Sequence, residues 1–181
     1  MNDFERDNEW QRGMRDRILA PGFYGRFAFE GRYVVIDKGR LATTFQKRFA
    51  VDTIAQGRDG AAVCIEEKIV RWPIKKGTPH TAFCLETESC TVPGRETDGW
   101  MVYGMADYLL YCFETKAGGL DCYLIDFPEL QKWFWTEADS FPRFGPLKTL
   151  NGSSGRVVPI DAVWTAVPMW RRLLEPQEVA A

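Results

Sequence analysis

Hydrophobic and polar residues alternate along three consecutive stretches near the middle of the chain. The stretches read RFAVDTIAQ (residues 48–56), AAVCIEEKIVRW (61–72) and TAFCLETES (81–89). Alternation with a period of two predicts β-strands, whose successive side chains point to opposite faces of a sheet. The turn sequence GRDG between the first two stretches predicts a hairpin, and KKGTPH predicts a loop before the third.

Helical spacing of apolar residues precedes these strands. Phe4, Trp10 and Met14 recur near the helical period and predict a helix over residues 2–19. Residues 23–36 are left open between an irregular strand and a loop, because glycines interrupt this run of aromatic residues.

The second half of the chain predicts a further hairpin followed by a helix. Strands are expected at Tyr108–Phe113 and Asp121–Ile125, joined by a glycine-rich turn. Asp126 is expected to cap a helix that has Pro128 in its first turn. The last expected elements are a strand, RVVPID, and a helix-like segment, AVWTAVPMWRRLL, which a proline interrupts.

Together these elements predict an α/β (α+β) fold. We expect a single domain over residues 1–181, with a central mixed β-sheet flanked by helices. Its core is expected over about residues 40–165, with the N-terminal helix in front of it. A hydrophobic content of 45% with 14% aromatic residues supports a packed globular protein.

Composition narrows the classes of protein further. The formal net charge of −2 is not typical of a nucleic-acid-binding protein. No run approaches the roughly 18–20 apolar residues that span a bilayer, and the charged N-terminus lacks the apolar region of a secretory signal. We therefore expect a cytoplasmic protein without membrane contact, whose five cysteines are reduced and mostly buried. One histidine and no C-x-x-C pair make a zinc-finger site improbable.

Acidic side chains lie within the three alternating stretches, where burial without a positive partner is costly. Alternation predicts Glu66 and Lys68 on one face of the second strand and Glu67 on the other. Asp52 lies in the first strand and Glu86 in the third. A divalent cation together with Lys68 would balance these carboxylates, and Mg²⁺ prefers oxygen ligands of this kind.

The pattern Asp52…Glu66-x-Lys68 on a hairpin resembles the signature of the PD-(D/E)xK, or restriction-endonuclease-like, nuclease superfamily. A wider likeness to small phage and mobile-element members of that superfamily covers about residues 46–135, through VDTI, CIEEKIVRW, CLETES, GWMVYGMADYLLYCF and YLIDFPELQKWFW. The resemblance implies a mixed sheet flanked by helices and dependence on Mg²⁺, for which Mn²⁺ can substitute. It also implies cleavage of the DNA backbone by an endo- or exodeoxyribonuclease.

The resemblance assigns roles to individual residues. Asp52, Glu66 and Lys68 take the metal-binding and catalytic positions by motif match, and Glu86 is added as a further catalytic candidate. The expected metal ligands are Asp52, Glu66 and Glu67, the last through its backbone carbonyl. The Glu66-Glu67 doublet leaves open which of the two glutamates faces the site, because a bulge would exchange them.

Several alternatives stay open. Glu66 and Lys68 could form a cross-strand pair on a solvated surface, with Asp52 capping a turn. The fold could also belong to a catalytically inactive module for nucleic-acid binding or protein assembly, and a homodimer is left open. A structural oligomer held together by the tryptophan-rich C-terminal third is a third reading. Trp100 and Tyr103 could stack on bases, although aromatic residues in such runs more often belong to a core.

Overall fold

The computed structural model describes residues 10, 13–14, 29–35, 48–57, 59–72, 80–146 and 152–175. The strands in these residues are β1 (Phe29–Val35), β2 (Thr53–Gly57), β3 (Ala62–Val70), β4 (Ala82–Cys90), β5 (Thr97–Asp98), β6 (Tyr108–Glu114), β7 (Leu120–Asp126), β8 (Arg143–Phe144), β9 (Ser154–Pro159) and β10 (Met169–Leu174). The helices with described bounds are α1 (Trp100–Tyr103), α2 (Phe127–Glu137), which continues as a 3-10 turn at Ala138–Ser140, and α3 (Ile160–Ala166).

Within these described ranges the strands form two sheets. The larger has the order β1-β2-β3-β6-β7-β10 and is mixed, because β3 and β6 run parallel while the other neighbours are antiparallel. The smaller is antiparallel, with the order β5-β4-β9-β8. After β3 the chain therefore crosses to the second sheet and passes through β4, β5 and α1 before β6 returns beside β3.

An apolar core joins the two sheets. Phe83 of β4 contacts Tyr111 of β6 and Tyr123 of β7, with ring centroids 5.0 and 5.4 Å apart. Phe127 and Leu130 of α2 belong to the same core and are fully buried. Burial of each large apolar side chain contributes roughly 1.5–3 kcal/mol, so this core fixes β4 and α2 against the larger sheet.

The opposite face of the larger sheet carries a second apolar core. Ile65 and Leu124 belong to it, and the helical residues Trp10 and Met14 pack against the same face. The predicted helix over residues 2–19 is described at three positions, all of them helical, and its other residues lie outside the described part of the chain.

Most of the predicted elements are confirmed. The β2–β3 hairpin turns at Gly60, whose φ of +82° favours glycine, and the β6–β7 hairpin turns at Gly118, whose φ is +86°. Asp126 caps α2 by accepting a hydrogen bond from the Glu129 backbone N–H at 3.1 Å, and Pro128 lies in the first turn. The predicted α+β fold with a central mixed sheet is also confirmed.

Other features differ from the predictions. The segment 162–174, predicted as an interrupted helix, is helical only to Ala166 and then forms the edge strand β10, which pairs with β7. Pro168 lies between the two because it cannot continue a helix. The open segment at Phe29–Val35 forms β1. Leu174, the last residue of β10, is 2% exposed and belongs to the second apolar core.

The second sheet is a further difference, because the sequence predicts a single mixed sheet. None of the helices in the described residues is long and apolar enough to cross a membrane. The cytoplasmic location stays a prediction.

Candidate active site

The β2–β3 hairpin brings Asp52 and Glu66 together. The Asp52 backbone N–H donates a hydrogen bond to the Ile65 carbonyl at 2.9 Å, directly before β2 begins. The Asp52 carboxylate accepts a hydrogen bond from the Glu67 backbone N–H at 3.1 Å, so it lies over the middle of β3. There it is within hydrogen-bond reach of the Glu66 carboxyl group.

Lys68 forms an ion pair with Glu66. The Lys68 Nζ lies 2.5 Å from Glu66 Oε1, and the two side chains are 34% and 6% exposed. Burial raises the pKa of Glu66, Lys68 opposes this effect, and the charge of Asp52 adds to it. Burial alone would lower the pKa of Lys68, but the charges of Glu66 and Asp52 outweigh it and raise that pKa. Lys68 therefore keeps its positive charge among these carboxylates. Because Glu66 is buried, the two residues are not an ion pair on a solvated surface.

Glu86 approaches the same place from the second sheet. Its charge contributes to the raised pKa of Lys68, and Ser89 Oγ donates a hydrogen bond to Glu86 Oε1 at 2.6 Å. The register of β4 shifts between Glu86 and Glu88, and Glu88 instead accepts a hydrogen bond from Arg143 Nη2 at 2.6 Å. The four residues whose charges act on one another here are called the charge cluster below: Asp52, Glu66, Lys68 and Glu86.

The Glu67 side chain points to the opposite face of the larger sheet. It is 8% exposed, and its Oε1 accepts a hydrogen bond from Thr53 Oγ1 at 2.7 Å. Thr53 pairs with Ile65 in the β2–β3 register, and Ile65 belongs to the second core. The metal ligand expected at this position is the backbone carbonyl of Glu67, not its side chain, and that expectation stays a prediction. Its backbone alone meets Asp52, and Glu66 is the member of the doublet that faces the cluster.

Helix α1 places two aromatic side chains beside the charge cluster. The Trp100 ring centroid lies 5.2 Å from Lys68 Nζ, a cation–π contact that holds the ammonium on one side. Tyr103 is half-buried, and burial followed by the negative charge of Glu66 raises the pKa of its hydroxyl. Tyr103 therefore stays neutral and presents an aromatic ring and a hydrogen-bonding hydroxyl next to the carboxylates.

Close contacts at both ends hold α1 in this position. A Cβ at Gly99 would collide with the backbone carbonyl of Glu86, so the start of α1 lies directly on β4. Gln131 of α2 donates its Nε2 to the carbonyls of Met101 and Gly104, each at 3.1 Å. Strand β4 and helix α2 thus hold α1 beside the charge cluster.

A groove of about 960 Å³ opens beside Tyr103. Arg48 and Arg143 line it and supply positive charge. Three carboxylates also line it, and one of them, Glu88, is paired with Arg143. The groove therefore carries charges of both signs.

The donor set of the charge cluster fits a hard divalent cation. Asp52 and Glu66 offer carboxylate oxygens, and three carboxylates stand against the single ammonium of Lys68. Within the described ranges, no group of three or more His, Cys, Asp or Glu side chains is close enough to hold a metal ion. A cation on Asp52 and Glu66 would need backbone or water oxygens as its other ligands, and Mg²⁺ is commonly bound by one or two carboxylates and water.

Comparisons with known proteins do not assign the chain to a family. No protein family, no curated protein and no solved structure matches the chain. The likeness to the PD-(D/E)xK superfamily therefore depends on the hairpin residues themselves and stays a prediction.

The sequence does not predict that Trp100 and Tyr103 lie beside the charge cluster. Both are in a run that favours a core, and Trp100 is indeed only 4% exposed. The place of these residues in the chain could have indicated it, because the segment GWMVYG is short, is bounded by glycines and lies between β4 and β6. This segment leads the chain back from β4 to β6, the strand beside β3. It therefore passes close to the side chains of β3.

Proposed function

We propose that this protein is a Mg²⁺-dependent nuclease that hydrolyses phosphodiester bonds of DNA. The observation that carries the proposal is the meeting of Asp52, Glu66 and Lys68 on one side of the β2–β3 hairpin. Two carboxylates next to one protonated amine supply the ligands and the positive charge that metal-assisted phosphoryl hydrolysis needs. The resemblance of the same three residues to a nuclease signature supports this function.

Asp52 and Glu66 are the residues that would hold the cation. Bound there, Mg²⁺ would supply positive charge to the scissile phosphate and lower the pKa of a water molecule. The Glu67 backbone N–H orients the Asp52 carboxylate, and Lys68 orients that of Glu66. Both carboxylates are thus fixed before substrate arrives, which reduces the reorganisation that the reaction requires.

Lys68 would act on the substrate rather than on the metal. Because its pKa is raised, the ammonium keeps its proton near neutral pH. It can therefore donate a hydrogen bond to the attacking water or to a phosphate oxygen and offset the charge that develops there. The ring of Trp100 limits the directions that the ammonium can take.

The groove beside Tyr103 is the proposed path of the nucleic acid away from the charge cluster. Arg48 and Arg143 can contact phosphates, which position a strand without reading its sequence. Tyr103 lies between the groove and the cluster and can stack on an unpaired base.

The test is cleavage of labelled DNA by the purified chain in Mg²⁺ or Mn²⁺. Single-stranded, duplex, flap and junction DNA are supplied in parallel, and we expect cleavage of at least one. Asp52→Asn should lower the rate by at least about a hundredfold, because the metal loses a ligand. The matched control is Asp107→Asn, because Asp107 accepts a hydrogen bond from the Cys64 backbone N–H at 2.7 Å, which Asn can also accept.

No metal-dependent cleavage of any of the four DNA forms would contradict the proposal. Equal loss in Asp52→Asn and Asp107→Asn would also contradict it, because the effect would then be one of folding rather than of metal binding.

An inactive nuclease-fold module is the second candidate function. It is favoured by the 2.5 Å ion pair, in which Lys68 already neutralises a carboxylate that the metal would need. Such a module would bind nucleic acid or assemble with protein, including a second copy of itself, without hydrolysis. Titration calorimetry with Mn²⁺ separates the candidates: a nuclease binds the ion stoichiometrically and loses this binding in Asp52→Asn, whereas an inactive module does not bind it.

A further inference from the structure

Two cysteines face each other across the β6–β7 hairpin. Cys112 and Cys122 are directly opposite in the antiparallel register, and both are fully buried. Their sulfur atoms lie 3.1 Å apart, and both are free thiols. They lie in the second core, on the face of the larger sheet away from the charge cluster.

The backbone geometry of this pair suits a disulfide. Directly opposed residues of an antiparallel ladder have Cα atoms about 4.5 or 5.5 Å apart, depending on the type of pair. Both values lie within the range of about 4.4–6.8 Å found in disulfides, whose S–S bond is about 2.05 Å. Closing the bond from 3.1 Å therefore requires a small side-chain movement and no change of register.

We infer that Cys112 and Cys122 are a redox modification site, at which a low-molecular-weight disulfide oxidises the two thiols to a cross-strand disulfide. The reaction is an exchange in two steps. The sulfur of one cysteine attacks the small disulfide, forming a mixed disulfide and releasing one small thiol. The sulfur of the second cysteine then attacks the mixed disulfide, and the second small thiol leaves. The protein loses two hydrogen atoms, and the small disulfide gains them as two thiols.

Burial controls the rate of this reaction rather than its equilibrium position. Both sulfurs are inaccessible in the closed sheet, so the oxidant reaches them when the hairpin opens or while the chain folds. Burial, together with the contact to Cys122, also raises the pKa of Cys112, which lowers the fraction of reactive thiolate. The decisive quantity is therefore the equilibrium between thiols and disulfide.

The disulfide would join β6 to β7 in the interior of the larger sheet. β6 is the parallel neighbour of β3, which carries Glu66 and Lys68. Oxidation would therefore restrain β6, the strand that is hydrogen-bonded to β3 and so holds Glu66 and Lys68 in place. We expect a higher midpoint of thermal unfolding for the oxidised chain.

The experiment equilibrates the full-length chain in glutathione buffers of stepped thiol-to-disulfide ratio, once folded and once in urea. Samples are quenched with acid, free thiols are alkylated, and peptide mass spectrometry identifies the linkage. The fold holds the two sulfurs in contact, so we expect the folded chain to form the 112–122 linkage at ratios at least about a hundredfold more reducing than the urea-unfolded chain.

Two results would overturn the inference. The folded chain could form the linkage no more readily than the unfolded chain, or its disulfides could involve Cys64, Cys84 or Cys90 instead. Cys84→Ser is the matched control, because this exposed cysteine is not part of the pair, and it should leave the equilibrium unchanged. The comparison of folded and unfolded wild-type chain needs no substitution in the core, so the folding defect of a core variant cannot affect the outcome.

Discussion

Glu66 and Glu67 are neighbours on β3 and both are buried, yet their surroundings are opposite. Glu67 points into an apolar core and accepts a hydrogen bond from the hydroxyl of Thr53. Glu66 points between the two sheets, forms an ion pair with Lys68 and lies against Asp52. Burial of a carboxylate therefore does not by itself mark a functional site. What distinguishes Glu66 is the number of charged groups around it.

Replacing each glutamate in turn by glutamine should give the largest difference. Glu66→Gln keeps the shape of the side chain but removes a charge that a cation needs, so Mg²⁺-dependent cleavage should fall by at least about a hundredfold. Glu67→Gln keeps an acceptor for Thr53 and should leave the rate within the same order of magnitude. Initial rates on the DNA form that is cleaved fastest measure the difference.

Circular dichroism of both variants serves as the control for folding. Equal loss of activity in the two variants would remove the functional distinction between the two faces of β3.

The distinction between these faces was available from the sequence. A strand has a side-chain period of two, so apolar packing of Ile65 and Ile69 on one face leaves Glu66 and Lys68 on the other. The doublet was the ambiguous point, because a one-residue bulge in β3 would have exchanged the two glutamates. Regular pairing of β3 with β6, in which Glu66 lies opposite Leu109 and Glu67 opposite Leu110, excludes such a bulge at the doublet.

The features that the sequence does not predict depend on pairing between strands that are distant in the sequence. The apolar residues of MWRRLL suit either a helix or a strand, and the antiparallel partner β7 determines that β10 is a strand. In the same way, the alternation in β4 predicts a strand but not the sheet to which it belongs. Glu86 was therefore expected beside the hairpin in one sheet, whereas it reaches the charge cluster from the second sheet.

Replacing Lys68 tests whether the stability of the chain depends on the balance between the carboxylates of the charge cluster and the Lys68 ammonium. In Lys68→Met, the carboxylates of Asp52, Glu66 and Glu86 would lack their ammonium. Breaking a fully buried pair costs about 3–5 kcal/mol, and partial exposure of Lys68 reduces our expectation to roughly 2 kcal/mol in the free energy of unfolding. Urea denaturation measures this loss.

Added Mg²⁺ should recover part of the lost stability in Lys68→Met, because an ion that binds only the folded chain stabilises it. Glu66→Gln is the matched variant, in which Mg²⁺ should have little effect. An Mg²⁺ response that is the same in both variants would argue against a cation site on Glu66.

Thr53 provides the corresponding test for the Glu67 face. Thr53→Val preserves shape but leaves the buried Glu67 carboxylate without this hydroxyl, which should cost about 1.5 kcal/mol in the free energy of unfolding. Binding of Mn²⁺ should stay unchanged, since Thr53 and Glu67 side chains lie on the face away from the charge cluster. Urea denaturation and titration calorimetry measure the two quantities.

A double-mutant cycle controls for packing changes at this position. In a Glu67→Leu background, Thr53→Val should cost little, because no carboxylate is left to lose its partner. A full loss of stability in that background would show that the methyl packing of residue 53, rather than its hydroxyl, supports the strand.

The exposed carboxylate of Glu88 should give the smallest effect. The Ser154 hydroxyl lowers the pKa of Glu88, desolvation opposes it, and Arg143 adds to the lowering. Its contribution to stability is therefore present above the ordinary glutamate pKa of about 4.3 and is lost as the pH falls through the lower folded-state value. Because the side chain is 41% exposed, the contribution should not exceed about 1 kcal/mol.

Glu88→Gln tests this pH dependence. Between neutral pH and pH values below the ordinary glutamate pKa, the variant should lose less stability than the wild-type chain, and urea denaturation at both ends of the range measures the difference. An identical loss in both chains would mean that Ser154 and Arg143 do not favour the ionised form of Glu88.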